Sequence, residues 1–253
     1  RAATLGGTSL PLDYKATDKV RTIDFLGYAY TRTPSEVSGA LMTRYDESKP
    51  EVWKLPLRDE IVPGTTITLP RGGYLVPQAQ AVAVARHLLA HGIQFRVLTS
   101  PLRDDQAQAF VADRVQFSPG SVEGHQRTTL TGAWTPQPAR IAAGGLYVPI
   151  AQPKARLLAN ILEPQAPDSM AAWGDFNNAF EQKEYMEGYV AEEEARKMLA
   201  RDPALKAEFE RRLKNDPAFA GSPGARLDFF YRRHPAWDPG TNRYPVMRTD
   251  RVY

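Results

Sequence analysis

The sequence predicts an α+β fold: a β-rich N-terminal part with two strand–helix units, followed by an all-helical C-terminal part packed on it. Three observations predict this. Short apolar runs broken by turn formers crowd the stretch from Thr22 to Thr68. A strand–helix–strand period follows at residues 73–98. After Pro164 the signals become helical, and three of them are a capping residue followed directly by proline. The corresponding domains are 1–164 and 165–253, or the whole as one continuous domain.

The elements follow in order. Residues 1 to about 20 are polar and mixed. Strand candidates are Ile23–Tyr30, Gly39–Tyr45, Glu51–Leu55 and Thr65–Leu69, separated by Thr33-Pro34-Ser35, Ser48-Lys49-Pro50 and Val62-Pro63-Gly64. Gly73–Val76 reads as a strand that Pro77 ends, since proline has no N–H to donate. Ala81, Val84, Ala85 and Leu88 then form one helical face, with Gly92 placed to close the helix. Ile93–Leu98 alternates into a strand. Gly144–Gln152 resembles Gly72–Gln80 and also runs into a helix, with Ala155, Leu158, Ala159 and Leu162 on one face. Between these copies, Val115–Phe117 and Arg127–Thr131 read as strands around Ser118-Pro119-Gly120. Asp168 is expected to cap a helix through Met170, Trp173, Phe176, Phe180 and Tyr185. Tyr189–Arg201 places acids early and bases late, the order that suits the helix dipole. Asp202-Pro203, Asp216-Pro217 and Ser222-Pro223 each pair a side-chain acceptor with proline at the first helical position. The tail from Trp237 to Tyr253 reads as extended, broken by proline and packed down through its aromatics.

Composition narrows the function classes. Hydrophobic residues make up 42% and charged residues 24%, so a packed core rather than disorder is expected. The net charge is only +3 over 253 residues, with acids and bases interspersed. No basic run exceeds Arg232-Arg233-His234, which argues against nucleic acid as a partner. There is no cysteine, hence no disulfide, thiolate nucleophile or Cys-ligated zinc. No apolar run approaches the roughly 18 residues that span a bilayer. Arg1 in place of an initiating Met reads as a processed piece.

Histidine and acids are then the remaining metal-ligand types. His87 and His91 lie four apart on one helical face, as in zinc-binding helices, but Leu88-Leu89-Ala90 between them lacks the glutamate base of a zincin. They are weak metal candidates, and two half-buried helix histidines is the preferred reading. The string Val122-Glu123-Gly124-His125-Gln126-Arg127 sets a carboxylate, an imidazole and a guanidinium close together. Glu123, His125 and Arg127 are therefore weak candidates for acid–base chemistry or an anion clamp, beside a structural reading as a polar cluster locking a hairpin. No G-x-S-x-G elbow, P-loop or G-x-G-x-x-G occurs.

Several strings resemble the region downstream of the peptidase domain in bacterial carboxypeptidase A-like zinc metallopeptidases. They are Gly73-Tyr74-Leu75-Val76-Pro77, Glu123-Gly124-His125-Gln126, Leu162–Ser169, Trp173–Asn177, Phe180–Tyr185, Arg226–Tyr231 and Tyr244-Pro245-Val246. The resemblance implies a parent hydrolase, periplasmic or secreted, with one catalytic zinc in an upstream peptidase domain of the same chain. The family's H-x-x-E motif is absent here, so no ligand or base carries over. The expected function is thus a non-catalytic accessory domain that stabilises that peptidase domain or shapes access to its cleft, with no cofactor of its own. One alternative is a binding module for peptide or cell-wall material through aromatics near Trp134, Trp237 and Tyr244. A second is an independent hydrolase built on Glu123 and His125.

Overall fold

The computed structural model describes residues 5–181 and 185–253. The chain forms two compact units: Gly7–Leu69, and Pro70–Tyr253 with the residues up to Gly6.

The first unit is built of antiparallel pairs. Strands β1 (Ser9–Pro11) and β2 (Tyr14–Ala16) precede the long strands β3 (Arg21–Pro34) and β4 (Leu41–Leu57), with β5 (Ile61–Pro63) and β6 (Thr66–Thr68) after them. β1 pairs with β6, β2 with β5, and β3 with β4. The β3–β4 ribbon is longer than its separate apolar runs suggest, and it turns at Ser35–Ala40, where the Ser35 N–H donates to the Ala40 carbonyl at 2.8 Å. Register slips between Tyr28 and Ala29, opposite Asp46–Pro50. Gly27 lies directly beneath the Trp53 ring, in space that a Cβ would fill. Two-stranded ribbons are marginal alone; here Phe25, Tyr30 and Tyr45 gather within 6.2, 5.7 and 6.0 Å of Trp53 and consolidate one face.

The second unit begins with β7 (Gly73–Val76), α1 (Gln78–Ala90), β8 (Arg96–Val97), β9 (Leu102–Asp104) and β10 (Gln108–Phe117). It continues with β11 (Thr128–Pro136), β12 (Ala139–Ile141), β13 (Leu146–Pro149) and α2 (Ala155–Leu162). Then come α3 (Gly188–Arg201), α4 (Pro203–Asn215), α5 (Pro217–Ala220), α6 (Pro223–Tyr231) and β14 (Arg243–Thr249). One antiparallel sheet in the order β11-β10-β14-β7-β13-β8 organises it. The two similar strings around Gly73 and Gly145 become neighbours, with Tyr74 opposite Val148.

This arrangement corrects the expected fold class. The C-terminal part is not all-helical: β14 enters the sheet between β7 and β10, so one β-rich sheet draws strands from both sides of residue 164, with helices interspersed. Pro245 hid the strand. It sits where β14 and β10 shift register, between Arg243 and Met247, and beyond the three residues that pair with β7, so its missing N–H breaks no ladder bond there. The helix expected from Asp168 is also absent. Turns run to Phe176 and a single 3-10 turn covers Asn177–Ala179. Gly174, at φ 88°, takes a left-handed backbone that no α-helix continues through. The remainder of that expected helix, at Gln182, Lys183 and Glu184, lies outside the described residues.

The three proline-initiated helices do form. Asp202 accepts from the N–H groups of Ala204 and Leu205, Asp216 from Phe219, and Ser222 from Ala225. Their apolar faces join α3 in a cluster of Ala195, Leu205, Phe209, Phe219, Phe229 and Phe230. In the sheet region Tyr74, Leu75, Val76, Tyr147, Val148 and Phe110 are fully enclosed, with Val84 and Leu88 of α1 and Leu158 and Leu162 of α2. Each such large side chain contributes about 1.5–3 kcal/mol through burial.

Candidate functional site

The second unit brings four sequence-flagged residues into one groove. His87 and His91 on α1, Glu123 and His125 in the following hairpin turn, and Ile161, Asp168, Met170, Trp173 and Asp175 line a space of about 330 Å³.

Local chemistry explains each wall. α1 ends in a Schellman turn: Gly92 takes φ 61° and the Ile93 N–H reaches back to the Leu88 carbonyl at 2.8 Å. This fixes His87 and His91 at the groove's end of the helix, and the Lys154 ammonium donates to the His91 carbonyl. The second wall is a two-residue turn. Val122 and His125 exchange both backbone hydrogen bonds, at 2.8 and 2.9 Å, with Glu123 at φ 52° and Gly124 at φ 82°. Both central residues are left-handed, the type I′ pattern, which suits Gly124 and costs Glu123. The third wall is the 161–175 segment after α2.

Polar side chains stitch these walls together. His125 donates through Nδ1 to the Trp173 carbonyl at 3.1 Å and sets its ring edge-on to the indole, 5.5 Å between centroids. Arg127 lies 4.3 Å over the same indole, donates to the Pro167 carbonyl, and stands 3.8 Å from Asp168. Asn177 donates to the Gln126 carbonyl at 2.9 Å, and the Thr128 N–H to the Ala172 carbonyl at 3.0 Å. The string 123–128 thus clasps the loop that follows α2.

His87 donates through Nδ1 to the Ala83 carbonyl at 3.0 Å. A carbonyl can only accept, so Nδ1 carries a proton in both His87 and His125, and Nε2 is the ring nitrogen each leaves toward the groove. From His87 Nε2 the nearest carboxylate oxygen, on Asp175, is 4.0 Å away. Zinc draws its ligands to about 2 Å, and no group of three His, Asp or Glu side chains is placed to hold an ion among the described residues. What the groove can do is offer two oriented imidazole Nε2 atoms and three carboxylates to a hydrogen-bonding ligand.

A second polar centre escaped sequence reading. Glu163 is 1% exposed and Arg248 7%, yet both are charged residues of the interior. Arg248 donates from Nε to Glu163 Oε1 at 2.9 Å and from Nη2 to Oε2 at 2.5 Å; Tyr74 donates to Oε1 at 2.6 Å. The guanidinium lies 4.3 Å over the Trp134 ring. Burial, then the Glu163 carboxylate, holds the Tyr74 phenol well above its ordinary pKa; burial does the same to Tyr244. The Tyr244 hydroxyl and Trp134 Nε1 are buried with no hydrogen-bond partner among the described residues. The only signal in the sequence was a carboxylate inside the apolar run Ile161-Leu162-Glu163-Pro164.

The aromatics expected near Trp134, Trp237 and Tyr244 do not make an exposed patch. Tyr244 is enclosed, Trp134 packs between Phe110 and Tyr244, and Trp237 packs on Tyr231. Exposed aromatics gather instead on the β3–β4 ribbon. Among the described residues no helix is long and apolar enough to cross a membrane.

Compared with known proteins, the chain matches no family model, no curated protein and no solved structure.

Proposed function

We propose that this chain is a non-catalytic accessory region of a zinc metallocarboxypeptidase, packing on an upstream peptidase domain and stabilising it or shaping access to its cleft. In this reading the zinc and the hydrolytic chemistry belong to that upstream domain, in a periplasmic or secreted protein. One observation supports it above others: three of the site-like side chains, His87, His125 and Arg127, are tied to the backbone of the fold. His125, Arg127 and His87 each spend a donor on a backbone carbonyl, and Glu163 is consumed by Arg248 and Tyr74.

The test is turnover of peptides with a free C-terminus by this chain, with and without added zinc, beside the same chain carrying its upstream region. Zinc-dependent turnover by the longer protein alone supports the reading. Turnover by this chain alone overturns it, and His87, His91 and His125 would then be the first residues to replace. A peptide-binding role is the second reading, favoured by Phe25, Tyr30 and Tyr45 standing exposed around Trp53 on the ribbon. Saturable binding of peptides, lost with Trp53→Ala in a folded protein, would select it.

A further inference from the structure

The register of the β9–β12 pair sets Arg103 directly opposite Arg140. Both side chains are exposed, while Asp104, Ala139 and Ile141 beside them are buried, so the two guanidinia share the outer face of this pair. Like charges set directly opposite each other destabilise a strand pair. Asp105 answers Arg103 in part, 2.8 Å from its Nε. Arg140 makes no ion pair among the described residues.

Arg103 also lines an open pocket of about 430 Å³, together with Arg96, Thr99 and Ser100. Arg96 lies 5.2 Å over the Tyr147 ring, which props its guanidinium, and it too has no carboxylate partner among the described residues. Thr99 and Ser100 stand outside any strand, in the turn between β8 and β9. Among the described residues neither their N–H groups nor their hydroxyls find an internal partner. No Asp or Glu side chain lines the pocket among the described residues. The buried Asp104 is engaged elsewhere, accepting from Thr249 and facing Arg251 at 3.8 Å.

This donor set says which anion fits. A single guanidinium fork satisfies a planar carboxylate, whereas donors drawn from β8, from β9 and from the turn between them suit a tetrahedral oxyanion with several oxygens. We propose that this pocket binds a phosphomonoester. Arg96 and Arg103 grip the phosphate, and Thr99 and Ser100 supply further donors. Arg140 adds positive charge beside Arg103, and Val97 and Pro101, also on the lining, receive the organic body. The bound anion offsets the like-charge pair across β9 and β12.

The test is calorimetric titration of the chain with phenyl phosphate and with benzoate, which carries the same ring on a planar carboxylate, at about 0.15 M salt to screen diffuse attraction. Phenyl phosphate should saturate one site, at least about tenfold more tightly than benzoate. Arg96→Gln should weaken it about tenfold or more. Arg211→Gln removes a charge from α4 instead and should leave binding unchanged. Arg140→Gln carries a signature that a merely structural arginine lacks: weaker binding, yet a raised thermal midpoint of the free protein, because the repulsion is gone. A phosphomonoester is also a lipid headgroup, so co-sedimentation with vesicles containing phosphatidic acid forms the second arm. Saturation by phenyl phosphate assigns a soluble ligand; binding to the vesicles alone, lost with Arg96→Gln, assigns a lipid. Binding to neither overturns the proposal. So does benzoate binding as tightly, an equal loss in Arg211→Gln, or a less stable free Arg140→Gln protein.

Discussion

Replacing Glu163 with alanine removes one carboxylate that answers two buried donors. Arg248 meets both of its oxygens and Tyr74 shares one of them, and these side chains sit in the interior of the second unit. Without Glu163 the guanidinium keeps only the face of Trp134, and a charge enclosed in this way stays uncompensated. Breaking one partner of such a pair costs about 3–5 kcal/mol. A folded protein holds roughly 5–15 kcal/mol in total, so the variant loses a large share of its stability. With a urea slope of about 2–3 kcal/mol per molar, the unfolding midpoint should fall by roughly 1–2 M. Removing both charges behaves differently. Glu163→Leu with Arg248→Met deletes the desolvation cost together with the attraction, and should recover most of the loss. The assay is a double-mutant cycle from urea titrations followed by tryptophan fluorescence. A Glu163→Ala variant within about 0.5 kcal/mol of wild type would refute the reasoning, as would a double variant whose loss equals the sum of the singles.

Tyr244→Phe removes a buried hydroxyl with no partner among the described residues and should leave stability unchanged or raise it by about 1 kcal/mol; a clear loss in urea titration would mean that the hydroxyl is satisfied. Native Tyr74 and Tyr244 keep their protons above pH 10, where the unfolded chain releases them. The native state then binds more protons, so stability is intact below about pH 10 and falls above it, by up to roughly 1.4 kcal/mol per pH unit for each tyrosine. Urea midpoints flat from about pH 9 to 11 would contradict this. Glu123→Asn suits the left-handed backbone of the 122–125 turn better than glutamate and should stabilise the fold by under about 1 kcal/mol, read as a slightly raised thermal midpoint. Phe209→Ala empties the centre of the helical cluster and should cost about 3–5 kcal/mol, read as loss of the cooperative transition of that region.

What could be read in advance was what local chemistry decides. Asp202, Asp216 and Ser222 declare their helices because the cap and its proline lie within three residues of the N–H groups they satisfy. α1 declares itself through Ala81, Val84 and Leu88 at one helical spacing. β14 could not be read this way. Its seven residues include a proline, and the feature that makes them a strand is the pair of neighbours, β7 and β10, reached only through tertiary folding. The groove was legible as fragments: His87 with His91, and Glu123 with His125 and Arg127. That one space collects four of them follows from the packing of α1 beside the 161–175 segment, which no spacing encodes. Glu163 and Arg248 stayed hidden because charged residues are read as surface unless their partner is known, and the partner lies 85 residues away.

β14 also sets an order of events. The Arg71 N–H donates to Asp250 across 179 residues of chain, and β14 occupies an inner slot of the sheet, between β7 and β10. During synthesis β7, β13 and β10 exist long before that slot can be filled. Until then β7 and β10 each expose a pairing edge, and closing so long a loop is slow compared with forming the helices. The nascent chain thus passes through an interval in which its most apolar strands are open to any other strand nearby. For such a protein, chaperone demand on the ribosome should depend on elongation speed through the helical segment more than on the stability of the finished fold.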